Sequence, residues 1–76
     1  MIDREGPVPA YRQIAGLLRD RIESGEYEPG RRLPSIATLV QEYGVAKITA
    51  QKALRVLIDE GVAEVSPGLG VFVAKP

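Results

Sequence analysis

Apolar residues recur along this chain with the period of a helix three times, and then with the period of a strand. From Ala10 onward, Tyr11, Ile14, Ala15, Leu18 and Ile22 fall at i, i+3, i+4, i+7 spacing, with Arg12, Arg19, Asp20 and Glu23 off that stripe. The pattern predicts a first helix over about 10–24, with Pro9 where a first helical turn tolerates proline and Ser24-Gly25 at its end. Glu28-Pro29-Gly30 signals a type II turn, and Arg31-Arg32-Leu33 has room only for a short strand. Leu39, Val40 and Tyr43 form the apolar face of a second helix over about 35–43, with Ser35 as its cap and Gly44 as a left-handed terminator. A third helix over about 46–60 turns Ala50, Ala53, Leu54, Leu57 and Ile58 inward and ends at Gly61. Small Ala50 and Ala53 allow the second helix to cross the third closely.

The remainder, about 62–74, reads as a hairpin: Val62 to Ser66 and Val71 to Ala74, joined by Pro67-Gly68-Leu69-Gly70. Two strands alone are not stable in water, so this hairpin must pair with the short Arg32-Leu33 strand and pack on the helices. The expected fold is mainly α with a small antiparallel sheet: a winged helix-turn-helix of three helices plus a β-hairpin wing, forming one domain over 1–76.

Composition narrows the chemistry. The 76 residues include neither cysteine nor histidine, so disulfides, thiolate metal sites and the commonest general base are unavailable. Ser35 and Ser66 have no base near them in sequence, and so short a chain builds no substrate pocket. An enzyme is therefore not expected, and neither is a metal or cofactor. No apolar run approaches the about 18 residues of a membrane span, and Met1 to Glu5 lacks a signal-peptide pattern. A cytoplasmic protein with no membrane partner is the expectation.

Net charge is zero, but it is unevenly placed. Residues 1–30 hold four cations and six anions, and residues 56–76 hold Lys75 against Asp59, Glu60 and Glu64. Between them, Arg31, Arg32, Lys47, Lys52 and Arg55 face Glu42 alone. Positive charge thus gathers in the segment of the second and third helices, as a phosphate-binding surface requires. Three tyrosines and one phenylalanine are too few for a stacking platform for single strands, and Tyr11 reads as core.

A set of landmarks falls in register: Pro9-Ala10-Tyr11-Arg12-Gln13-Ile14, the turn from Pro29 to Ser35, Gly44-Val45, then Ala53, Leu54, Leu57 and Gly61, and finally Gly68, Gly70, Phe72 and Val73. With these, residues 8–74 resemble the N-terminal winged helix-turn-helix domain of the GntR family of bacterial transcription regulators. The resemblance implies DNA contacts at the start of the second helix, in the first turns of the third, and at the wing tip. On this chain those positions are Ser35, then Lys47, Ile48, Thr49, Gln51, Lys52 and Arg55, then Gly68 and Leu69.

Several of these positions depart from the family pattern. Ala37 stands where the family carries an arginine, Thr38 where it carries the glutamate of a capping box, Lys47 and Gln51 where it carries arginines, and Leu69 where a cation is common. The first wing strand, Ala63-Glu64-Val65-Ser66, is acidic where basic residues are usual. Lysine is a point charge suited to phosphate rather than a fork onto guanine, glutamine pairs with adenine, and Ile48 offers apolar contact to a thymine methyl. Losing three cations lowers the salt dependence by roughly three units, at about 0.9 per neutralised phosphate.

Other readings of the same residues remain open. Arg55 pairs with Asp59 at i+4 or reaches DNA, and Thr49 touches a phosphate or faces the turn. Gly68 and Gly70 serve positive φ or a close backbone approach to the duplex. The expected function is a sequence-specific regulator of double-stranded DNA, a repressor, bound as a homodimer if its half-sites are paired. The alternative is a winged-helix module with a weakened DNA face that engages a protein partner. Family members usually carry a C-terminal effector domain, which residues 1–76 do not contain; the chain reads as an excised domain or a short regulator.

Overall fold

The computed structural model describes residues 2–3 and 5–75. Of the single domain expected over 1–76, Met1, Arg4 and Pro76 lie outside the described residues. Three helices come first in the chain, α1 (Ala10–Glu23), α2 (Ile36–Tyr43) and α3 (Lys47–Asp59), followed by a hairpin of β1 (Ala63–Ser66) and β2 (Gly70–Val73).

Each boundary has a local cause. Pro9 precedes α1 in an extended conformation, and its carbonyl accepts from the Arg12 and Gln13 amides at 3.0 and 3.2 Å. Gln13 ties the N-terminal segment to this helix: its side-chain amide donates to the Asp3 and Val8 carbonyls, both at 2.7 Å, and its oxygen accepts from the Asp3 amide. Ser35 caps α2, its hydroxyl oxygen accepting from the Thr38 amide at 3.1 Å. Instead of closing a reciprocal box onto the backbone, the Thr38 hydroxyl accepts from that of Ser35 at 2.9 Å. Gly44 ends α2 at φ 64°, its amide donating to Val40. After only Gly44-Val45-Ala46 the chain enters α3, whose N-cap, Ala46, supplies no side-chain acceptor.

One core unites these elements. Ile14, Leu18, Leu39 and Leu57 are completely buried, each worth about 1.5–3 kcal/mol of burial. Ala15, Ala50 and Ala53 let the helices approach closely around them. Ile58 and Val40, expected on inward faces, are half-buried at the rim.

β1 and β2 pair antiparallel, with Ala63 opposite Val73, Glu64 opposite Phe72 and Ser66 opposite Gly70. The expected third strand is reduced to a single bridge, Arg32 opposite Phe72, flanked by bonds from Leu33 to Val71 (2.8 Å) and from Val73 to Arg31 (2.8 Å). With a third bond from Gly30 to Val73 (2.9 Å), this segment anchors the wing while Leu33, Ala63 and Val73 are buried beneath it.

Ion pairs brace the helices from outside. Arg19 of α1 grips Glu60, just past α3, bidentately at 2.8 and 2.9 Å. Two residues further along α1, Arg21 reaches Glu42 of α2 at 3.5 Å and donates to the Tyr27 hydroxyl at 3.5 Å, the main cause of its raised pKa. Burial beside this cluster pushes the Tyr43 phenol above its ordinary value. Among the described residues no helix is long and apolar enough to cross a membrane.

Candidate nucleic-acid interface

The face of α3 opposite the core collects the expected contact residues. Lys47, Ile48, Gln51, Lys52 and Arg55 are all exposed, while Ala50, Ala53, Leu54 and Leu57 are buried behind them. Helical periodicity makes 47, 51 and 55 one row and 48, 52 and 55 the adjoining one. Ile48 puts a large apolar side chain, 58% exposed, among these polar ones. Thr49 is half-buried.

Partners divide the cations. Arg55 is paired with Asp59 at 3.3 Å, in the i+4 arrangement foreseen as an alternative to DNA contact. Lys52 lies over the Tyr11 ring, Nζ to centroid 5.7 Å, and Arg12 lies 5.5 Å from the same centroid. Tyr11 is thus a half-buried ring packed against the core and flanked by two exposed cations. Sequence periodicity marked the ring as core but carried no sign that Arg12 and Lys52 converge on it.

Lys47 makes no ion pair among the described residues, and Glu42, the lone anion of residues 31–55, is held by Arg21. Arg31, Arg32, Lys47 and Lys52 therefore have no acidic partner among the described residues. The absent cap makes Lys47 more informative. A cation in the first turn opposes the helix dipole, so this residue is unfavourable for α3 locally.

Ser35 stands at the start of α2 with both hydroxyl functions engaged by Thr38. Beyond it α2 carries a partly exposed apolar strip. Ile36, Ala37, Val40 and Gln41 line, with Lys47, a shallow groove of about 620 Å³. At the wing tip, Pro67 and Gly68 form a turn closed by the Leu69 amide donating to Ser66 at 2.9 Å, with Gly68 at φ 78°. A Cβ at Gly68 would meet nothing within 4 Å, so its backbone dihedral alone calls for glycine. Leu69 projects from the tip, 63% exposed.

Arg32 was not foreseen as a contact residue. Its pairing opposite Phe72 puts its side chain on the outer face of the sheet, the face of Gly70, and its guanidinium lies against that glycine. It also lines one depression with Ser35, Thr38 and Glu42, on the side of α2. Period-2 alternation across the bridge would have found this placement had the register been known.

A short helix crossing a second through a three-residue turn, followed by a two-stranded wing, defines a winged helix-turn-helix. The gntR family of bacterial regulatory proteins matches over residues 10–73, and the chain belongs to that family. It is 40% identical over 73 residues to the histidine utilization repressor of Klebsiella aerogenes, covering 96% of this chain and 30% of that protein. The chain thus spans about three tenths of the length of the curated relatives it matches. Among solved structures, YtrA from Sulfolobus acidocaldarius, a GntR-family transcription factor, superposes with a TM-score of 0.91 at 38% identity, over 100% of this chain and 80% of that one. AraR(DBD) in complex with operator ORR3 superposes with a TM-score of 0.86 at 30% identity, over 97% and 89%.

Proposed function

We propose that this chain is the sequence-specific, double-stranded-DNA-binding domain of a transcriptional repressor, with α3 as its recognition helix. The observation that carries this reading is the exposed face of α3, where Lys47 and Gln51 stand one turn apart with no bond to the rest of the described fold. Similarity to AraR(DBD), solved with an operator, supports it. Gln51 pairs with an adenine edge, Ile48 meets a thymine methyl, and Lys47 neutralises a phosphate. Thr49 adds a hydroxyl contact to the backbone, Ser35, whose hydroxyl stays with Thr38, sets the start of α2 against it, and Lys52 and Arg55 hold the flanking phosphates. Gly68 and Leu69 bring the wing tip to the adjacent groove.

Residues 1–76 act as one DNA-binding unit without catalysis, working in the cytoplasm where the operator lies and as a homodimer where half-sites are paired. A second reading, a winged-helix module for a protein partner, is favoured by the apolar side of α2, where Ile36 and Ala37 sit beside Lys47. Selection from a random duplex pool at low salt separates the two. The DNA reading expects a consensus enriched in A·T pairs at the positions facing Gln51 and Ile48. Failure to enrich any consensus refutes it and leaves the protein-binding reading.

A further inference from the structure

The wing has no positive charge of its own. Residues 62–74 contain one ionisable side chain, Glu64, and the tip residue is Leu69. A hairpin with this composition repels the phosphates it would have to approach. The fold supplies the missing cation from another segment.

Arg32 pairs opposite Phe72, and in an antiparallel pair the two side chains share a face. On that outer face Glu64 also stands opposite Phe72, while Gly70 lies two residues nearer the turn. Arg32 forms no ion pair with Glu64; its guanidinium extends to Gly70, toward the tip. A Cβ built on Gly70 would lie 2.9 Å from Arg32 Nε, 3.3 Å from Nη2 and 3.4 Å from Cζ. The guanidinium therefore fills the volume that any side chain at 70 would need. The φ of 128° is what calls for glycine at 70, and the guanidinium occupies the space this leaves. Arg32 remains exposed, and its depression is shared with Ser35 at the start of α2.

We infer that Arg32 is the cation of the wing, binding a backbone phosphate of the duplex between the wing tip and the start of α2. The inference rests on the DNA-binding reading above and adds a contact residue to it. A planar guanidinium with several donors suits a phosphate oxygen pair, and its placement by the bridge to β2 makes the charge part of the wing although it is remote in sequence. Because a phosphate carries no base identity, Arg32 contributes affinity equally on all sequences.

The test is the salt dependence of binding, measured by fluorescence anisotropy on a selected duplex and on a scrambled one across a series of KCl concentrations. Arg32→Gln removes the charge and leaves a shorter polar side chain, and is expected to make the slope of log K against log salt shallower by roughly 0.9 on both duplexes. Arg32→Lys is expected to retain the wild-type slope, and Arg31→Gln to change it less than Arg32→Gln does. An unchanged slope and affinity in Arg32→Gln, with an unchanged thermal melt, overturns the inference, as does an equal loss in Arg31→Gln or a full loss in Arg32→Lys. A wild-type chain that binds no duplex at any salt removes the parent reading as well, whereas a salt-sensitive wild type matched by Arg32→Gln removes this inference alone.

Discussion

Replacing Lys47 and Gln51 together by alanine tests the proposed recognition face where it is least entangled with the fold. Both side chains are exposed and unbonded among the described residues, so the surface cost to stability lies within about 0.5 kcal/mol. Alanine is moreover the better helix former, and removing a cation from the uncapped first turn of α3 relieves its unfavourable interaction with the dipole. The double variant is therefore expected to melt at the wild-type temperature or slightly above it.

Its DNA binding should change in two separable ways. Losing Lys47 makes the salt slope shallower by roughly 0.9 and weakens the selected and scrambled duplexes alike. Losing a bidentate Gln51–adenine pair costs about 1–3 kcal/mol on the selected duplex alone, roughly 5- to 150-fold in Kd. Single variants assign the two effects, with a modest coupling expected for residues one turn apart. Fluorescence anisotropy at fixed salt, beside circular dichroism melts, reads both quantities. If the folded double variant binds the selected duplex as tightly as wild type does, α3 is not the reading element.

Three further outcomes test the fold beneath that face. Ser35→Ala removes the cap of α2 and should cost about 1 kcal/mol, a fall of roughly 4–8 °C in Tm for a domain of this size; an unchanged melt would show that the Ser35–Thr38 bonds contribute nothing. Leu57→Ala opens a cavity in the fully buried centre and should cost about 2–5 kcal/mol, much of the total expected for so short a chain, visible as a lowered denaturant midpoint. Tyr43 is raised by burial above its ordinary value of 10.0, so the folded state holds the proton more tightly than the unfolded one. Stability from this group is present below the ordinary value and declines as pH rises beyond it. Tyr43→Phe should flatten that alkaline decline in denaturant midpoints, and parallel curves for variant and wild type would refute the assignment.

What the sequence determined by itself follows from local physics. The three helices are legible because apolar side chains repeat with the helical period, and their ends because Ser35, Gly44 and the turn glycines satisfy or redirect the backbone within a few residues. The outward face of α3 follows from the same period, so Lys47, Ile48, Gln51, Lys52 and Arg55 were found together. The Arg55–Asp59 pair was also within reach of the sequence, being one helical turn apart. Tertiary structure alone decided the long-range contacts: Glu42 is held by Arg21 from another helix, and Lys52 lies over the Tyr11 ring some forty residues earlier. It also decided that Arg32, which in sequence is only one of two adjacent arginines before a proline, lies over Gly70 and charges the wing. Periodicity reports which way a side chain points from its own element. Which side chains converge depends on how segments distant in the chain pack and in what register they pair, and no local pattern encodes that.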